Sequence, residues 1–85
     1  MSYKYEDEKR KLFTDEGSRQ FHAMLKHCQA MLVESEAFTM AAAMRCPGIG
    51  DTWEMMACVD RMVELGEVRE VPTKGAAQNR VFVMP

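Results

Sequence analysis

The sequence predicts a mostly helical α+β domain, with three helices followed by a C-terminal β-hairpin. Three observations carry this. An apolar stripe at helical spacing runs through Phe21, Met24, Leu25, Cys28, Met31 and Leu32. A later stripe opens on a capping-box pattern, Asp51-Thr52-Trp53-Glu54, and closes on Leu65-Gly66. Two β-prone runs, Val68 to Val71 and Arg80 to Met84, flank a glycine-containing loop.

Size and composition bound these elements. Eighty-five residues make one domain with a thin core. An apolar share of 47% and a charged share of 28% fit a globular chain and exclude a disordered or low-complexity one. No apolar run approaches the roughly 20 residues that cross a bilayer, so no membrane partner is expected. Tyr3 to Lys11 is charged where the apolar stretch of a signal peptide would lie, which points to the cytoplasm. The net charge of −2 excludes a histone-like binder that wraps nucleic acid with its whole surface. It leaves room for a local basic patch. Three widely spaced cysteines, Cys28, Cys46 and Cys58, fit reduced thiols rather than a disulfide framework.

Residues 1–12 form a charged N-terminal arm, exposed up to Lys11, and residues 13–85 form the domain. Leu12 and Phe13 begin its packing. The first helix spans about Asp15 to Glu34. Thr14 caps it, and Asp15 and Glu16 complement the positive end of its dipole. Gly17 weakens its first turn slightly. Ser35 to Phe38 is a short extended link. Thr39 caps a short alanine-rich helix, Met40 to Arg45, which ends at Cys46-Pro47-Gly48. The third helix opens at Asp51. Met55, Val59, Met62 and Leu65 form its inner stripe, and Gly66 supplies the left-handed cap.

This order resembles the winged helix-turn-helix superfamily from about Phe13 to Met84. Phe38-Thr39 before the alanine-rich helix and Val63 to Val71, with Leu65-Gly66 at the helix end, carry the resemblance. Most such domains bind duplex DNA, with the third helix in the major groove and the wing on phosphate or minor groove. By that resemblance the outward positions of the third helix are Thr52, Trp53, Glu54, Ala57, Asp60, Arg61 and Glu64. Lys74, Gln78 and Arg80 then form the wing tip.

Charge divides the functional reading. The third helix carries Asp51, Glu54, Asp60 and Glu64 against Arg61 alone. DNA affinity comes largely from cations that displace counterions at phosphates, and an acidic helix in a groove opposes it. A small DNA-binding, transcription-regulatory domain would therefore use Arg45, Thr52, Arg61, Lys74, Gln78 and Arg80, with wing and arm as the main contacts. The alternative is a winged-helix protein-interaction or dimerisation module that does not bind DNA. Its contact candidates are Trp53, Met56 and Phe13. An exposed Trp53 beside Met56 would be an anchor, whereas a Trp53 folded over Ile49 would plug the core. Tyr3, Tyr5, Leu12 and Phe13 give the arm enough apolar weight to lie on a second subunit, so a homodimer is expected.

No other chemistry is indicated. His22 and His27 are five residues apart and fall on different faces of one helix, unlike a ligand pair four apart. No nucleophile stands beside a base with an orienting acid, so no enzyme, metal or cofactor is expected. Met24, Met31, Met55 and Met62 sit at core spacing. Met40, Met44 and Met56 are either core or an adaptable binding patch.

Overall fold

A computed structural model describes residues 2–85, apart from the side chain of Gln78. The elements in order are α1 (Tyr5–Glu8), a 3-10 turn (Lys9–Phe13), α2 (Asp15–Ser35), β1 (Ala37–Thr39), α3 (Met40–Ala43), α4 (Thr52–Glu64), β2 (Arg69–Val71), a 3-10 turn (Ala77–Asn79) and β3 (Val81–Val83). No helix among the described residues is long and apolar enough to cross a membrane.

Side-chain caps place the helices where the sequence puts them. Thr14 Oγ1 accepts from the Gly17 amide at 3.0 Å, Thr39 Oγ1 from the Ala42 amide at 3.1 Å, and Asp51 Oδ1 from the Glu54 amide at 2.8 Å. Each satisfies an amide that the first turn leaves free. Gly66 adopts φ 78° at the end of α4. Its amide donates to the Val63 carbonyl and the Glu67 amide donates to the Met62 carbonyl, the paired bonds of a glycine-terminated helix. The short helix ends earlier than its expected limit at Arg45. The Arg45 and Cys46 amides reach back three residues, to Ala42 and Ala43, so the chain tightens into a turn ahead of Pro47.

The two β-prone runs pair antiparallel, with Val71 opposite Val81 and Arg69 opposite Val83. The extended link after α2 is a third strand. It pairs antiparallel with β3, giving the order β1-β3-β2. Phe38 faces Phe82 in this register, and their rings stack at 5.3 Å between centroids. Phe82 sits at the centre of the core with Met24, Cys28, Met40, Val59 and Met62. Burying several such side chains contributes about 2 kcal/mol each before entropy is counted.

The N-terminal segment departs from expectation. It is not a free arm: α1 and the 3-10 turn pack on α4, Glu8 is buried, and Leu12 enters the core at 6% exposure. Phe13, expected to pack with Leu12, stays 62% exposed. The segment crosses α2 at Gly17, where a Cβ would stand 1.9 Å from the Lys11 carbonyl oxygen. Gly17 is therefore demanded by close backbone approach, a role the sequence does not reveal.

The same segment changes α4. With α2 and α3 on other sides and the N-terminal segment laid across it, the helix buries a broad arc. Met56 (6% exposed) and Ala57 (fully covered) are core residues, which corrects the placing of Met56 as a contact anchor and of Ala57 as an outward position. Leu65, expected inside, is 49% exposed at the helix end.

Candidate functional site

Two carboxylates one helical turn apart on α4, Asp60 and Glu64, organise its outward face. Asp60 accepts from Tyr3 Oη at 2.6 Å and from Arg80 Nη2 at 2.6 Å. Arg80 also grips Glu70 with two bonds, 2.9 Å from Nε and 2.7 Å from Nη2. Glu64 accepts from Tyr5 Oη at 2.9 Å, from Lys9 Nζ at 2.7 Å and from Arg61 Nη1. The i, i+4 spacing puts both acids on one strip, and the spacing of Tyr3, Tyr5 and Lys9 lays their donors along it.

Protonation follows these contacts. Lys9, Arg61 and Tyr5 hold the Glu64 carboxyl down at about 2. Arg80 holds Glu70 below the usual carboxylate range. Burial, then the Asp60 carboxylate, pushes the Tyr3 hydroxyl above its ordinary value; burial and Glu64 do the same for Tyr5. Glu70, then Asp60, raises the Arg80 guanidinium against the opposing effect of burial. The face is charged but internally matched.

This matching fixes what the expected DNA contacts can offer. Arg61 is paired with Glu64, and its guanidinium lies 5.1 Å over the Phe13 ring. Arg80 is paired twice and lies 5.3 Å over the Phe82 ring. Neither presents a free cation to a phosphate. Thr52 is exposed at the first turn of α4. Lys74 is exposed on the loop between β2 and β3, and the Gln78 side chain lies outside the described residues. Arg45 is exposed on the turn after α3, beside α2 rather than on the outward face of α4. In the N-terminal run, Lys9 is bound to Glu64 and Lys11 to Glu8, while Arg10 is exposed.

Of the protein-contact candidates, Phe13 is on the surface and Met56 is in the core. Trp53 is half-buried and meets the Tyr3 ring edge-to-face at 6.4 Å. Tyr3 is thus a neighbour of Trp53 within the chain. Sequence reasoning missed Asp60 and Glu64 as anchors. The signal available was two tyrosines with a lysine, able to donate to an acidic pair spaced i, i+4.

The thiols are inert by burial. Cys28 and Cys58 are fully buried and pushed up to about 12, and Cys46 is raised by the same cause. Among the described residues no group of three or more His, Cys, Asp and Glu is placed to hold a metal ion. A recess of about 380 Å³ is an open groove between the starts of α2 and α4, lined by Lys11, Glu16, Gln20 and Glu54 among others. Comparison with protein-family models, curated proteins and solved structures finds no match to this chain.

Proposed function

We propose that the chain is a winged-helix domain that binds duplex DNA through the phosphate backbone, in a transcription-regulatory role in the cytoplasm. The observation that carries this reading is the pairing of β1 with β3. It turns the C-terminal hairpin into a three-stranded sheet of order β1-β3-β2, set behind helices arranged helix, strand, helix, helix, strand, strand. The exposed loop from Pro72 to Ala76 is the wing of that arrangement. Backbone contact rather than base reading follows from α4. Asp60, Glu64 and its single arginine are matched within the chain, and residues 2–13 lie across it.

Fluorescence-anisotropy titration with mixed-sequence duplex DNA tests the proposal. Binding that weakens steeply with salt supports it, because displaced counterions dominate such affinity. Absence of binding at low salt overturns it.

A second reading is a protein-interaction or dimerisation module. The observation favouring it is the exposed Phe13 beneath Arg61, with exposed Leu65 one turn further along α4. Tyr3 and Tyr5 are spent within their own chain, so a homodimer would use these side chains instead of the arm. Sedimentation velocity separates the readings. A concentration-dependent dimer abolished by Phe13→Ser favours the second; a monomer at all concentrations removes the homodimer.

A further inference from the structure

The carboxylates of this chain are unevenly distributed. Positions 17–33 and 37–50 carry no Asp or Glu, yet they carry Arg19, Lys26 and Arg45. All three are exposed, and among the described residues none joins an ion pair. All 13 carboxylates lie elsewhere, and the arginines and lysines that do form ion pairs are bound to them there.

The two acid-free stretches run side by side. His27 Nε2 meets the Ala42 carbonyl at 3.3 Å, and the Cys46 thiol donates to the Ala23 carbonyl at 3.8 Å. Gly48 then shares a shallow recess with Arg19, Gln20 and Ala23. The segment from Ala42 to Gly48, with Arg45 in its middle, therefore tracks back along α2. Arg19, Ala23 and Lys26 follow one another at i, i+4 and i+7 on a single strip of that helix. Glu16 lines that recess beside Arg19, and Glu34 and Glu36 lie beyond the other end.

We propose that this flank of α2 and the α3 turn, built on Arg19, Lys26 and Arg45, is where the domain takes the phosphate backbone of duplex DNA. The proposal rests on the DNA-binding reading above and moves its contact surface away from α4. Arg19 and Lys26 stand about 10 Å apart along the helix axis. Duplex DNA presents about one negative charge per 1.7 Å of its own axis, so the two address separate phosphates and Arg45 adds a third. A surface cation outside any ion pair gains from releasing counterions without first breaking a contact. Arg61 and Arg80 would first have to leave their carboxylates. The wing is a poorer site, because Arg69 and Lys74 share its strand and loop with Glu67 and Glu70. Contacts of this kind position the duplex without reading its sequence.

The test compares the unaltered protein with two variants of equal net charge, using anisotropy with one mixed-sequence duplex over a range of salt. The flank variant carries Arg19→Gln, Lys26→Gln and Arg45→Gln. The control carries Lys4→Gln, Arg10→Gln and Arg69→Gln, which removes exposed cations elsewhere. Thermal melts confirm that both fold. Three phosphate contacts give a slope of about −3 in log K against log salt. The flank variant should lose at least about tenfold in affinity at low salt, with its slope falling toward zero, while the control keeps both. A flank variant that binds like the unaltered protein, or a control that loses as much, overturns this surface and leaves the DNA reading standing. An unaltered protein that fails to bind at low salt overturns the DNA reading itself, and this surface with it.

Discussion

Arg80 and Asp60 meet at 2.6 Å, and this pair ties the C-terminal hairpin to α4. Arg80 reaches Glu70 across its own sheet with the same guanidinium, so one side chain sets the angle between hairpin and helix. Both members of the pair are mostly covered, so removing one strands the other in a poorly solvated place. Arg80→Ala should therefore cost about 2 kcal/mol of stability, below the full penalty of a deeply buried pair. Lys9→Ala, which removes a more exposed partner of Glu64, should cost less than about 1 kcal/mol. Urea unfolding of the two variants checks the contrast. Equal costs would mean that Arg80 does not brace the hairpin.

Gly17 gives a prediction opposite in sign to its helix propensity. Alanine in an exposed helix interior is favoured over glycine by about 1 kcal/mol. Here the added Cβ would stand 1.9 Å from the Lys11 carbonyl oxygen and 2.8 Å from Leu12 Cα, both backbone atoms. The N-terminal segment would have to lift off α2. Gly17→Ala should lower stability by about 2 kcal/mol, within the range for overpacking. A variant as stable as the parent, measured by thermal melting, would contradict the crossing.

The contrast between Gly17 and the caps shows what was legible in the sequence. Thr14, Thr39, Asp51 and Gly66 act on amides and carbonyls within a few residues of themselves, so their spacing declares their work. The hairpin strands were readable for the same reason. β1 was readable only as an extended link, because its partner β3 lies more than forty residues away. The placement of residues 2–13 was not readable from a charged run. The tyrosines are held by residues of α4 that are near only in space, and Leu12 enters a core assembled from distant elements. The same gap misplaced Met56 and Ala57, which belong to the core because α4 is packed on by several elements distant in sequence. At the candidate site, the acidity of the third helix was visible in advance. That its acids consume Arg61 and Arg80 was not, since it depends on the fold.

Acid should weaken the clasp between the N-terminal segment and α4. The Glu64 carboxyl is lowered from an ordinary 4.5 to about 2 by Lys9, Arg61 and Tyr5. A depressed folded-state value means the native state binds fewer protons than the unfolded chain between those limits. Its stabilising contribution is present above about pH 4.5 and is lost as pH falls toward 2. Glu70, lowered by Arg80, adds in the same direction. Glu64→Gln should flatten the fall in urea midpoint between pH 4.5 and 2, because Gln cannot titrate. An unchanged slope in that variant would remove Glu64 as the cause.

Trp53 is the single tryptophan and sits edge-to-face with Tyr3, so its fluorescence reports directly on the clasp. Tyr3→Phe keeps the ring and deletes the hydroxyl that donates to Asp60, at a cost of about 1 kcal/mol. Its Trp53 emission should stay close to that of the parent. Tyr3→Ala deletes the ring as well, and Trp53 should shift to the red as water replaces it. Alkali should act like the second variant. The Tyr3 hydroxyl is held above its ordinary value of 10 by burial and by Asp60, so the folded chain retains that proton more tightly than the unfolded one. The Tyr3 contribution is complete below about pH 10 and is lost as pH rises beyond it. A red shift of Trp53 emission that begins above pH 10 in the parent, and is already present at neutral pH in Tyr3→Ala, is the expected pattern. An emission maximum indifferent to both changes would show that residues 2–13 do not lie on α4 in solution.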